Sequence, residues 1–193
     1  MLNEVETRHR ECSEVANKVL SSPHVYIDTE TSGLDMPRIV QIAVTDEYGN
    51  ALLNTLVRQR WNIPASATAI HGITTEMTKS APKWADVLSQ LSNLVEGKRT
   101  IFYNADFDVR AIEHTSENAN LVAPIFDNFC VMNLYAVFNG DFSSYWDDYR
   151  FVRLSRAAAN FGYSHSNAHD ALADCKATRA VLHGMANSAY IPL

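Results

Sequence analysis

Cysteine is scarce in this 193-residue chain, and the three present, Cys12, Cys130 and Cys175, stand far apart with no C-x-x-C spacing. That argues against a cysteine-framed zinc site or a disulfide framework, and a reduced, cytoplasmic setting is expected. A basic excess is also missing. Sixteen Lys and Arg against 22 Asp and Glu leave a net charge of -6, which excludes a broad electrostatic grip on long duplex nucleic acid while leaving room for a local basic patch. No apolar run is long enough to cross a bilayer, and the start, Met1 to Glu6, lacks the basic and then apolar regions of a secretory signal, so a soluble protein is expected. Glycine and proline are few, with 7 and 6 residues, and no repeat or low-complexity segment is present. What the chain does have is 47% hydrophobic residues, enough for one substantial core.

The apolar residues are patterned. Val5, Cys12, Ala16 and Val19 recur at helical spacings among charged residues and predict an amphipathic N-terminal helix docked on its own domain. From His24, Val25 and Ile27 alternate with Tyr26, Asp28 and Glu30, the period of a strand, and Gly33 supplies a turn. Arg38 to Thr45 and Ala51 to Val57 read as two more strands around a hairpin turn at Asp46 to Asn50. Trp61 to Pro82 reads as an extended loop, Trp84 to Val95 as a helix stopped at Gly97, and Thr100 to Tyr103 as a strand. A helix capped by Asn104 and running to about His114 follows, then a strand from Pro124 to Cys130 and a short helix from Val131 to Phe138. Gly140 to Tyr149 reads as a loop, before helices at Leu154 to Phe161 and Asp170 to Asn187. A meander followed by strands alternating with helices predicts an α/β domain with a mixed sheet.

Several carboxylates sit where apolar residues belong. Asp28 and Glu30, two apart on a strand, project from the same face at a strand end, where ligands collect in such sheets. In the last helix Ala171, Leu172, Cys175, Thr178, Val181, Leu182 and Met185 form one inward stripe, and Asp174 points between Val181 and Met185. In the helix after Asn104, Asp108 lies on the side defined by Phe107, Ala111 and Ile112, whereas Asp106 points with Glu113 to solvent. An ionised carboxylate facing a core needs a partner. A pair of divalent cations would satisfy all four, and two metals also clamp the attacking and leaving oxygens of a phosphodiester. His169, just before the last helix, is suited to deprotonate water because an imidazole titrates near neutrality.

The runs Ile27 to Leu34, Tyr103 to Asp108 and Ala168 to Asp174 together resemble the three motifs of the DEDDh (DnaQ-like) 3′-5′ exonuclease superfamily, and Ile70-His71-Gly72-Ile73-Thr74 is similar to a segment of its proofreading-like branch. The superfamily includes the proofreading subunit of bacterial DNA polymerase III, exonuclease X, ribonuclease T and oligoribonuclease. The resemblance implies a mixed five-stranded, RNase H-like sheet flanked by helices, two Mg²⁺ or Mn²⁺ ions, and removal of nucleoside 5′-monophosphates from nucleic acid 3′ ends. It implies that Asp28, Glu30 and Asp174 hold one metal, that Asp28 and Asp108 support the other, and that His169 deprotonates the attacking water. It further implies substrate contacts at Thr31, Leu34, Ile70, His71 and Asn104, with Leu34 wedging against the terminal base.

Tyr103 departs from the His common at that position, and His165 with Asp170 repeats the spacing of His169 with Asp174, a rival pair. The domain is expected to span residues 23–193, with residues 1–22 a helical extension. The chain ends soon after its last helix, so a stand-alone enzyme is expected, with monomer or homodimer open. DNA with single-stranded ends is the expected substrate. RNA trimming by the same chemistry and a non-catalytic RNase H-like binding module are the alternatives. Arg38, Arg58, Arg60, Lys176 and Arg179 are candidates to guide the strand, but scattered surface cations more often face solvent and these are left out of the site.

Overall fold

A computed structural model describes residues 4–188. Its centre is a five-stranded sheet in the order β3-β2-β1-β4-β5, formed by β1 (His24–Thr31), β2 (Ile39–Thr45), β3 (Ala51–Leu56), β4 (Arg99–Phe102) and β5 (Asp127–Cys130). β1 pairs antiparallel with β2 and parallel with β4, so the sheet is mixed, as the meander and the later alternation dictate. β1 and β2 are covered on both faces and almost wholly buried.

Two apolar layers clad the sheet. On one face Val25, Ile27, Ile42 and Val44 meet α4 (Trp84–Val95) and α5 (Ala105–Asn118). On the other, Tyr26 and Ala43 meet α8 (Ala171–Asn187), joined by α1 (Glu4–Leu20), α6 (Val131–Asn139) and α7 (Leu154–Asn160). α1 shares this core, burying Cys12, Ser13, Ala16 and Val19, and the His9 ring stacks on Phe138 with centroids 4.0 Å apart. All three cysteines are free thiols. Among the described residues no helix is long and apolar enough to cross a membrane.

The structure corrects the sequence reading in several places, one being the fifth strand, which begins at Asp127 and not at Pro124. Within the segment expected to be an extended loop lie α2 (Ala65–His71) and α3 (Thr75–Thr78). α2 buries only Ala67, too little to leave an apolar stripe, and it runs from Pro64 to a left-handed Gly72 (φ 74°) that stops it. The segment after α6 is not wholly irregular, since β6 (Phe142–Ser143) and β7 (Asp148–Tyr149) form a two-residue ladder. α5 runs on to Asn118, well past His114, and Asn104 occupies its N-cap position without a capping side-chain bond. Leu172 is only partly buried, while Ala177 and Ala186 join the α8 stripe.

Candidate active site

β1 carries Asp28 and Glu30 on the face that Tyr26 presents to α8, because residues two apart share a side. The register is then fixed from the neighbouring strand. Glu30 pairs with Gln41, whose amide donates to Asn54 Oδ1 (3.1 Å) and Asp170 Oδ2 (3.3 Å), while its oxygen accepts from the Ala171 amide (3.4 Å). Asp170 is the N-cap of α8, accepting from Ala173 N at 3.0 Å. The first turn of α8, and with it Asp174, is thereby held over β1.

Asp108 arrives from the opposite layer. It lies in the first turn of α5, and its Oδ1 accepts from the Thr29 amide (3.1 Å) and hydroxyl (2.7 Å). Asp106 is exposed, as its helical phase requires. His169 has a left-handed backbone (φ 67°), uncommon for a residue with a Cβ and often found at functional sites. Ligand atoms of Glu30, His169 and Asp174 all lie within 4.8 Å of one another.

These groups line one cavity of about 540 Å³, and every site residue expected from the sequence lies on its wall: Asp28, Glu30, Asp108, His169 and Asp174 with Thr31, Leu34, Ile70, His71 and Asn104. Gly33, at φ 149°, takes a conformation that side chains rarely adopt, and the next residue, Leu34, is 78% exposed at the rim. His71 accepts from the Ile73 amide through Nδ1 (3.0 Å), which leaves Nε2 to donate to the Thr31 carbonyl (3.2 Å) and clips α2 to the end of β1. Tyr103 donates its hydroxyl to the Val152 carbonyl at 2.5 Å, anchoring the chain that delivers Leu154 to the wall.

Two features had escaped the sequence reading. The first is a bond of His165, whose Nε2 lies 2.7 Å from Asp174 Oδ1, with the two side chains 4% and 13% exposed. The second is the further lining by Phe107, Ser66, Ala67 and Leu154. The length of α5 and the Pro64-to-Gly72 punctuation of α2 were the available signals for part of that lining.

The electrostatics are one-sided, since among the described residues no Lys or Arg lines the cavity. Burial, then the charges of Asp108, Asp174, Glu30 and Asp170, holds the Asp28 carboxyl well above the usual range. Glu30 is pushed up to about 8 by burial and then by Asp174, Asp108 and Asp170. Asp108 is raised to about 7, chiefly by burial, against the lowering effect of its Thr29 bonds. Asp174 is raised by burial despite the opposing His165 and His169. Crowded carboxylate oxygens beside an imidazole, without an internal cation, form a donor set that fits hard divalent ions.

The family model described as exonuclease (RNase_T) matches residues 25–182. Exonuclease CP81 of Escherichia phage 186 is 40% identical over 182 residues, covering 90% of this chain and 93% of its own length. The DNA polymerase III subunit epsilon-like protein of Rhodobacter capsulatus is 36% identical over 112 residues, 54% of this chain, and the chain spans only 16% of that protein. Among solved structures, exonuclease X in complex with 5′ overhanging duplex DNA superposes with a TM-score of 0.62 at 27% identity, over 86% of this chain and 92% of that one. The zinc-bound complex of Escherichia coli exonuclease I with single-stranded DNA gives 0.68 at 21% identity over 86% of this chain and 40% of that one, a likeness of fold. The sheet, the helices that flank it and the sequence match agree: the chain belongs to the DnaQ-like exonuclease family, on an RNase H-like fold, and is a nuclease.

Proposed function

We propose that this exonuclease degrades DNA stepwise from the 3′ end, releasing nucleoside 5′-monophosphates, with two divalent cations, Mg²⁺ or Mn²⁺, held by Asp28, Glu30, Asp108 and Asp174. The observation that carries the reading is the convergence of four carboxylates and His169 on one cavity whose wall has no Lys or Arg among the described residues. Bound there, the cations would supply Lewis-acid stabilisation of the charge that builds on the phosphodiester. His169 takes a proton from water, hydroxide attacks the terminal phosphorus, and the bond from phosphorus to the 3′ oxygen of the preceding nucleotide breaks. That oxygen leaves on the shortened strand and takes a proton from solvent to become its new 3′ hydroxyl, and the phosphate departs with the terminal nucleoside.

Leu34 and Ile70, both exposed and both lining the cavity, offer apolar surface to the terminal base. His71, holding Thr31, keeps that end of the strand fixed against Glu30. The DNA preference is supported by the exonuclease X complex, whose bound ligand is duplex DNA with a 5′ overhang. Incubating matched single-stranded DNA and RNA oligonucleotides with Mg²⁺, Mn²⁺ or chelator tests it. Metal-dependent shortening of DNA ahead of RNA is expected; faster loss of RNA would reassign the substrate, and undiminished activity in chelator would remove the cations.

A further inference from the structure

A second concavity, of about 620 Å³, lies outside the carboxylate site, and Arg38, Arg58, Arg60 and Lys83 line it around Trp61. Among the described residues no Asp or Glu is on its wall, although acids outnumber bases in the chain as a whole. Among the described residues none of the four cations is in an ion pair; Arg58 donates to the Ala81 carbonyl, and the Arg38 guanidinium sits over the Trp61 ring, 5.7 Å from its centroid. Trp61 itself is 66% exposed. Three of the five cations that the sequence reading left out of the site are therefore gathered here, whereas Arg179 is engaged by the Glu47 carbonyl.

The groove is tied to the active site by two elements. Arg38 and Ser32 hold each other across the loop that presents Gly33 and Leu34, with bonds of 2.9 Å and 3.1 Å. α5 begins beside the cavity at Asn104 and ends beside the groove at Asn118. Its 14 residues run about 21 Å at 1.5 Å per residue, so the groove extends from the Arg38 end beside the cavity to the far end of this helix. A strand with the 3.4 Å rise of B-form DNA covers that span in about six nucleotides, and an extended strand in fewer. Cations in a groove with an exposed aromatic ring are what single-stranded nucleic acid requires, phosphates on the charges and a base on the ring.

We infer that the groove lined by Arg38, Arg58, Arg60, Lys83 and Trp61 binds the phosphate backbone of the substrate strand several nucleotides 5′ of the bond being cut. It holds long substrates without touching the reacting atoms. The inference rests on the exonuclease reading and adds to it a length-dependent binding site.

The test uses two substrates with the full chain: a 20-nucleotide single-stranded DNA, which reaches the groove, and the p-nitrophenyl ester of thymidine 5′-monophosphate, which does not. For Arg60→Gln/Lys83→Gln, and separately Trp61→Ala, KM on the 20-mer should rise about tenfold (about 1.4 kcal/mol of lost binding) with ester hydrolysis unchanged. The double variant should also flatten the log-log salt dependence of kcat/KM by about 1.4, since each phosphate contact to a single strand contributes about 0.7. An unchanged KM and salt slope on the 20-mer would overturn the inference, and so would an equal loss on both substrates. Wild-type protein that hydrolyses neither substrate would instead sink the exonuclease reading on which it rests.

Discussion

His165 and Asp174 are joined nine residues apart, Nε2 to Oδ1 at 2.7 Å, so that one carboxylate of the cavity is held from behind by a buried imidazole. A ligand fixed in this way need not be reoriented when a cation arrives. His165→Ala should raise the Mn²⁺ concentration for half-maximal activity by about 10- to 100-fold, the usual cost of losing a group that orients a metal ligand, with partial recovery in His165→Asn. Metal titration of both variants checks this. An unchanged midpoint in His165→Ala would show that Asp174 needs no such support.

His169 differs in exposure and in expected role, being exposed and left-handed in its backbone. Its replacement by Ala should lower kcat by about 10²- to 10⁴-fold, the range for a lost general base, while metal affinity stays within a few-fold. Calorimetric metal binding alongside initial rates separates the two histidines. If His165→Ala lost turnover and His169→Ala did not, the base would be misassigned.

The crowding of carboxylates has a consequence for stability. A carboxyl with a higher pKa in the fold than in the unfolded chain binds its proton more tightly when folded, so this stabilisation is complete below pH about 4. It is lost as pH rises toward about 7 for Asp108 and about 8 for Glu30. The site groups should therefore lower the Tm of metal-free protein between pH 5 and 8, and Mg²⁺ or Mn²⁺ should restore it most at the upper end. Saturation at a hundred times Kd is worth about 2.7 kcal/mol, or roughly 5 to 10 °C for a domain of this size. Thermal melts across that pH range, with metal and with chelator, are the check; a metal response larger at pH 5 than at pH 8 would contradict it.

Neutralising one of these charges should separate stability from activity. Asp28→Asn keeps the side-chain shape, removes a carboxylate that its neighbours disfavour, and takes away a metal ligand. Metal-free Asp28→Asn should melt a few degrees above wild type at pH 8, with activity down by about 10³-fold or more. A lower Tm would mean that Asp28 is stabilised in the fold by contacts beyond those described.

Much of this was legible in the chain because the site lies on periodic elements. Alternation in β1 put Asp28 and Glu30 on one face, the 100° turn of α5 singled out Asp108 from Asp106, and the position of Asp170 at the start of α8, where a capping carboxylate is ordinary, left Asp174 as the site residue. What was hidden lies where period gives no signal. α2 is too short to show a stripe, the β6-β7 ladder has two residues per strand, and the bond from His165 to Asp174 crosses a turn into a helix, where no sequence period reports it. The groove of Arg38, Arg58, Arg60 and Lys83 was equally opaque, because its cations come from three separate segments.

The central claim, that these five side chains form a cation-dependent centre acting at a 3′ terminus, is tested most directly by following one DNA oligonucleotide labelled at its 5′ end. With Mn²⁺ the wild-type chain should give a ladder shortening one nucleotide at a time, with nucleoside 5′-monophosphates as the released product, and Asp174→Ala should leave the oligonucleotide intact. Immediate release of the 5′ label as a mononucleotide, or an Asp174→Ala variant that digests at the wild-type rate, would contradict it.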